Sequence, residues 1–245
     1  MKSSSLTMPF LAAILFFTVS CNNSGTSDSI NTGDSAGKDT NSASTTANTI
    51  ITTPQAMMLV KHKVKDFDAW QTGYDSHDSA RLANGLHSYV IGRGTDDANT
   101  VLIAIKADDL AKAQNFAKGN NLKETMQKAG VVGNPVMHFI NTTFQDTAVI
   151  STTLRSMTSF KVKDWAAWEK NFKDGEQERI DNGILVRLYG HDANDNTQVR
   201  LVTAITDTAK AFSYYKSDAL KKRRTDGGVI GEPERFLFNI VKRYR

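Results

Sequence analysis

The chain has 245 residues, a formal charge of +4 and one cysteine, Cys21. A single thiol excludes internal disulfides, a thiolate zinc site and a cysteine nucleophile anywhere else in the chain. No HExxH metal motif, glycine-rich phosphate loop or Ser-His-Asp signature is readable, which removes further enzyme classes.

The chain opens with a basic start at Lys2 and an apolar run from Phe10 to Phe17. That run is about half the ~20 residues a membrane-spanning helix needs. A basic start, a short apolar core and small residues before a cut site predict a secretory signal peptide over residues 1–20. The cut site, Thr18-Val19-Ser20-Cys21, resembles the lipobox of bacterial lipoproteins, with Thr18 where those proteins usually carry Leu. The resemblance implies that Cys21 becomes the first mature residue and receives lipid, palmitate included. An ordinary secretory signal that contains a cysteine is the alternative. From Asn22 to Pro54 the sequence is dominated by Ser, Thr, Asn, Gly and Asp and has no aromatic residue. Such a segment cannot offset its ordering entropy by burial, so residues 21–55 are expected to form a disordered tether. The expected location is therefore the cell envelope, with a lipid anchor in the membrane and the folded part on either the periplasmic or the surface-facing side.

Beyond the tether the sequence repeats. Lys63-Val64-Lys65-Asp66-Phe67-Asp68-Ala69-Trp70 returns as Lys161-Val162-Lys163-Asp164-Trp165-Ala166-Ala167-Trp168, an offset of 98 residues. The same offset relates Arg81 to Arg179, Gly92 to Gly190, Asp97 to Asp195 and Pro135 to Pro233. Two tandem copies of one unit follow, over residues 56–146 and 156–245, joined by a linker over 147–155.

Within the first copy the pattern predicts a strand from Met58 to Val64. Asp66 reads as the N-cap of a helix running to about Asn84, with Gly85 as its left-handed stop. Two strands follow, near Leu86 to Arg93 and Thr100 to Lys106, joined by the turn over 95–99. A helix begins near Asp109, is interrupted at Gly119-Asn120, and resumes from Leu122 to Ala129. A last strand runs from Val136 to Phe144. This order is the βαββαβ, ferredoxin-like unit, an α+β fold. Its sheet has one face that its own helices leave bare, and an apolar face of that kind needs a partner.

The segment Val64-Lys65-Asp66-Phe67-x-x-Trp70, with the late Gly130-Val131-Val132-Gly133-x-Pro135, resembles the dimeric α+β barrel superfamily that includes antibiotic-biosynthesis-monooxygenase-like proteins. The resemblance covers nearly all of residues 57–144 and, more loosely, 156–245. It implies units paired sheet to sheet. With two copies on one chain, it implies an intramolecular barrel and a monomer built as a pseudo-dimer.

Candidate site residues fall on the first helix and strand of copy one. Phe67, Trp70, Tyr74, His77 and Arg81 are spaced to share one helical face. The second copy has Trp165, Trp168, Phe172, Gly175 and Arg179 there, so the aromatic positions read first as core packing. His77 is replaced by Gly175, and His62, in register with Val60 and Val64 on the strand, is replaced by Phe160. Relatives implied by the resemblance carry His on strand one and His-x-x-x-Arg on helix one, positions matched here by His62, His77 and Arg81. A neutral His could act as a general base while Arg holds a carboxylate or enolate oxygen. Trp70 and Tyr74 are the expected ligand contacts. In this reading copy two is a partner half that has lost its site.

His62, His77 and Asp75 could also form a two-imidazole, one-carboxylate metal set, a weaker reading. For haem, His138 or His191 would be an arbitrary axial ligand. No metal or cofactor is therefore expected. The basic runs Lys221-Lys222-Arg223-Arg224 and Lys242-Arg243-Tyr244-Arg245 read as solvated ends, or else as contacts with an anionic envelope surface. Nucleic acid is not an expected partner for an exported chain. Three functions stay open: a binding protein for a small apolar or aromatic molecule held inside the barrel, a cofactor-independent monooxygenase or cyclase using His62, His77 and Arg81, and an envelope scaffold.

Overall fold

The computed structural model describes residues 48–244. The signal segment, Cys21 and the tether up to residue 47 lie outside the described residues. A two-residue strand, β1 (Ile50–Ile51), comes first, inside the stretch expected to be tether. The first repeat then runs β2 (Gln55–Val64), α1 (Phe67–Ser76), α2 (Asp78–Ala83), β3 (Leu86–Gly94), β4 (Thr100–Ala107), α3 (Leu110–Lys118), α4 (Asn120–Lys128) and β5 (Val131–Asp146). The second follows as β6 (Leu154–Val162), α5 (Trp165–Asp174), α6 (Glu176–Asp181), β7 (Ile184–Asp192), β8 (Gln198–Ile205), α7 (Thr208–Tyr215), α8 (Asp218–Asp226) and β9 (Val229–Arg243).

The local signals act as expected. Asp66 and Asp164 cap their helices by accepting from Ala69 N and Ala167 N, each at 2.7 Å. The carboxylate satisfies an amide that has no partner within the helix. Gly85 (φ +66°) and Gly183 (φ +69°) then turn the chain back toward the sheet. Two elements differ from expectation. The long first helix is broken at His77, which both ends α1 and starts α2. The last strand starts five residues early, at Val131 rather than Val136. It accommodates Gly133 and Pro135 because Lys61 pairs with Val136 while Lys63 pairs with Val132, so one residue of β2, His62, faces three of β5. A bulge absorbs the extra length and the missing proline amide. β9 repeats the device between Ser159 and Lys161.

Each repeat orders its strands last-first-third-second, as β5-β2-β4-β3 and β9-β6-β8-β7. The repeats then join at both edges. β3 pairs with β9, and β5 pairs with β7, so eight antiparallel strands close into a barrel with β1 as an added strand on β5. Closure removes the open edges that would otherwise template pairing with other chains. A glycine sits at each seam: Gly92 pairs with Ile240, and Gly190 with Thr142.

The lumen is filled by a cluster drawn from both repeats, with Met57, Leu59, Leu102, Ile140, Met157, Leu188 and Phe238 all buried. The alternate residues of β2, Met58, Val60 and Val64, pack outward against Phe67, Trp70 and Ala113 of the helices. Strands buried on both faces explain why Met57-Met58-Leu59-Val60 is continuously apolar rather than alternating. A residual space of about 70 Å³ remains at one end of the lumen, rimmed by Gln145, Arg155 and Arg187.

Candidate functional site

The period-2 alternation of β2 decides where His62 points. It follows Met58 and Val60 outward, so it faces the helices and not the lumen. There it lines a cavity of about 50 Å³ between sheet and helices, together with Trp70, Tyr74, His77 and Arg81. All five residues singled out by sequence meet in this one space. Apolar walls from Met58, Ile103, Phe116 and Met126 complete it.

His62 is 5% exposed, and neither ring nitrogen has a hydrogen-bond partner among the described residues. Its ring meets Trp70 edge-on at 5.4 Å. Burial pushes its pKa down from 6.5 to about 4, so the imidazole is neutral at pH 7. An unsatisfied buried nitrogen costs about 1–3 kcal/mol. Two of them on one ring make His62 an expensive choice where Phe160 serves the second repeat.

Trp70 stacks on Tyr74 at 5.3 Å, and Tyr74 carries the Arg81 guanidinium 3.7 Å above its ring. Arg81 is 4% exposed and already engaged: Nε donates to Ser88 Oγ at 3.1 Å and Nη2 to Asp78 Oδ1 at 3.0 Å. The Tyr74 hydroxyl shares Ser88 Oγ at 2.8 Å. Burial raises the Tyr74 phenol despite the opposing pull of Arg81 and Ser88. His77, half-buried, has Nε2 3.4 Å from Thr125 Oγ1 on α4. The site is thus mostly apolar, with one ion pair at its end and, in its wall, one unpartnered imidazole that is neutral at pH 7.

Asp75 does not join the histidines. Burial works against its charge, but Lys242 and Tyr244, each 2.6 Å away, hold the carboxyl below the usual range. Among the described residues no group of three or more His, Cys, Asp or Glu side chains is placed to hold a metal. His138 accepts from Arg200 through Nδ1 at 3.0 Å, and His191 packs against Trp165 at 4.8 Å. Neither lines the cavity.

Sequence reading missed Ser88, Asp78, Thr125 and Met126, which set the polarity of the space. Thr125 and Met126 do carry a signal, because the second repeat has Arg223 and Arg224 in their places. The second repeat also keeps a cavity at the corresponding position, of about 80 Å³. That space contains no histidine, since Phe160 and Gly175 stand at the two positions.

No family model matches the chain, and no curated protein matches it in sequence. Solved structures do match. A candidate monooxygenase from Fusobacterium nucleatum superposes with a TM-score of 0.52 at 14% identity, over 77% of this chain and 93% of its own. An anthrone oxidase-like protein gives 0.53 at 13% identity, over 79% and 94%. A heme-binding protein from Thermus thermophilus gives 0.50 at 10% identity, over 79% and 93%. This is the dimeric α+β barrel fold. At these identities the likeness carries the architecture alone. In this barrel the two units are the halves of one chain, and the two sheet–helix cavities are free to differ.

Proposed function

We propose that the protein is an exported, lipid-anchored envelope protein that binds a small apolar or aromatic molecule in the sheet–helix cavity of its first repeat. The observation that carries this reading is His62. A fully buried imidazole with two unpartnered nitrogens, set among Trp70, Tyr74, Met58 and Phe116, offers one directional hydrogen bond inside an apolar wall, the composition typical of small-molecule sites. The ligand therefore sits on the helix side of the sheet and not in the lumen. Names among the structural neighbours, a monooxygenase candidate and a heme-binding protein, support a small-molecule role for the fold.

Access runs past α4. Leu122 and Met126 wall both the inner cavity and an outer groove of about 260 Å³. α4 has no buried residue. Displacing those two side chains would join the spaces into the range of small-molecule sites, from about 300 Å³ upward.

The enzymatic alternative is weaker on chemistry. A base with pKa about 4 is poorly matched to proton abstraction near neutral pH. Arg81 is neutralised by Asp78 before any substrate arrives. The scaffold alternative leaves the cost of His62 without a return.

Native mass spectrometry with an absorption spectrum tests the reading, on a soluble fragment beginning just before Asn48 so that β1 is kept. Bound mass that vanishes in the His62/His77 double alanine variant is the expected result. An unchanged adduct in that variant, or a clean apo mass from native host and recombinant sources alike, would sink it. For the anchor, Cys21→Ser is expected to move the chain from the membrane to the soluble fraction, and continued membrane retention would contradict the lipid on Cys21.

A further inference from the structure

The second repeat does not simply lack the first repeat's histidines. Its cavity has been rebuilt with opposite chemistry. His77 and Thr125 face each other in repeat one, and their counterparts are Gly175 and Arg223. A Cβ at Gly175 would lie 2.7 Å from the Arg223 guanidinium carbon and 2.8 Å from two of its nitrogens. Losing the histidine is therefore what admits the arginine. The exchange extends along the wall: Met126 becomes Arg224, Met137 becomes Arg235, Phe116 becomes Tyr214 and Val60 becomes Thr158.

Four guanidinium groups, those of Arg179, Arg223, Arg224 and Arg235, now line one cavity. Arg223 is taken by Glu178, to which its Nε donates at 2.7 Å. Among the described residues the other three make no ion pair. Arg179 is 7% exposed and its Nη1 donates to the Phe172 carbonyl at 2.6 Å, while its Nε and that of Arg235 are buried with no partner among the described residues. The Tyr215 hydroxyl, also on the wall, has no partner among the described residues, while that of Tyr214 lies beside Glu178. Aromatic faces hold the cations in place. The Arg179 guanidinium lies 3.8 Å above Phe172 and that of Arg235 lies 3.4 Å above Tyr215. Lys216 and Lys221 line an adjoining groove of about 330 Å³ that shares Tyr215 and Arg224 with the cavity.

Buried cations without anions are expensive unless something supplies the missing charge. Planar guanidinium forks match carboxylate and phosphate oxygens, and tyrosine hydroxyls add neutral donors. We infer that the cavity of the second repeat is a site for a small organic anion, whose carboxylate or phosphate group meets Arg179, Arg224 and Arg235 while its apolar body lies against Trp168 and Phe172. The chain would then carry two ligand sites on one barrel, one neutral and one anion-selective. This site stands independently of the histidine-lined cavity.

Isothermal titration of the full chain with benzoate, phenylphosphate and neutral benzyl alcohol tests the inference. Arg224→Met and Arg235→Met are the variants, because methionine is what repeat one carries at both positions and its packing volume is already accommodated there. At least one anionic probe should bind at one per chain, weaken with salt, and lose at least about tenfold in affinity in either variant. Benzyl alcohol should not displace the anion, and any heat it gives should be the same in the parent and in both variants. The unfolding midpoint of each variant should equal or exceed that of the parent, since an unpartnered buried charge is removed. Failure of both anions to bind at millimolar concentration, displacement of the bound anion by benzyl alcohol, or parental affinity in both variants would overturn the assignment. A lowered midpoint would also count against it, by showing that the guanidinium serves the fold rather than a ligand.

Discussion

Gly190→Ala is expected to stop the barrel from closing, whereas Gly92→Ala, the same substitution at the equivalent position, leaves it closed but weakened. Both glycines sit at a seam between the repeats, and neither needs a left-handed backbone. The difference lies in what a new methyl group would strike. At Gly190 a Cβ would fall 2.2 Å from the carbonyl oxygen of Asn141 and 2.7 Å from Thr142 Cα, which are backbone atoms of β5. Nothing there can yield except the β5–β7 pairing itself. At Gly92 the obstacle is the ring of Phe238, 2.2 Å away, a side chain that can be displaced within the lumen. Overpacking of that kind costs about 1–3 kcal/mol. Loss of a seam belongs to the rare class of single changes above about 4 kcal/mol. Denaturant unfolding of the two alanine variants reads the contrast directly. Equal destabilisation, or a Gly190→Ala protein as stable as its parent, would mean that the β5–β7 seam is not what closes the molecule.

The second large effect is a gain in stability. His62→Phe copies Phe160, which occupies the same place beside Trp168, with ring centroids 5.5 Å apart against 5.4 Å for His62 and Trp70. The ring therefore fits, and two unsatisfied nitrogens disappear. A gain of about 1–3 kcal/mol at pH 7 is expected. The variant should also lose the acid sensitivity that His62 confers. In the folded protein burial holds its pKa at about 4, against 6.5 in a free histidine. Between those values the unfolded chain takes up a proton that the folded chain refuses. The stability present above pH 6.5 is thus lost as pH falls toward 4, by about 2 kcal/mol between pH 7 and pH 5. Thermal unfolding across this range should show a shallower acid limb in His62→Phe, and ligand capture by the first cavity should vanish. An unchanged limb would place the proton elsewhere, and a variant that unfolds earlier than its parent would mean that the imidazole has a structural partner.

Stability gained together with binding lost is the pattern expected where a site is kept at a cost to the fold. The same logic applies to Arg179 and Arg235 in the second repeat, whose buried Nε atoms have no partner among the described residues.

Much of the architecture was written in local sequence. The caps at Asp66 and Asp164, the stops at Gly85 and Gly183, and the interruption at Gly119 each act through their nearest neighbours, so their positions could be read directly. The 98-residue offset gave the pseudo-dimer for the same reason, since equal sequences fold into equal units. The register bulges opposite Lys61 and Lys63 could not be read. They depend on how β5 meets β2 across about seventy residues of chain, and Pro135 hid the strand that runs through it.

The site divides along the same line. Sequence by itself determined that Trp70, Tyr74, His77 and Arg81 share one helical face and that His62 shares a strand face with Met58 and Val60, but not that the two faces meet. Only the tertiary structure decided that. Closure of the barrel by β3–β9 and β5–β7 filled the lumen with Met57, Leu59 and Phe238 and turned His62 outward toward the helices. It also drew Arg223 and Arg224, which in sequence are part of a basic run at a helix end, in against Glu178 and the aromatic wall. The side-chain direction of a residue on α8 is fixed by the space that Gly175 leaves on another helix, and that space is set by long-range packing.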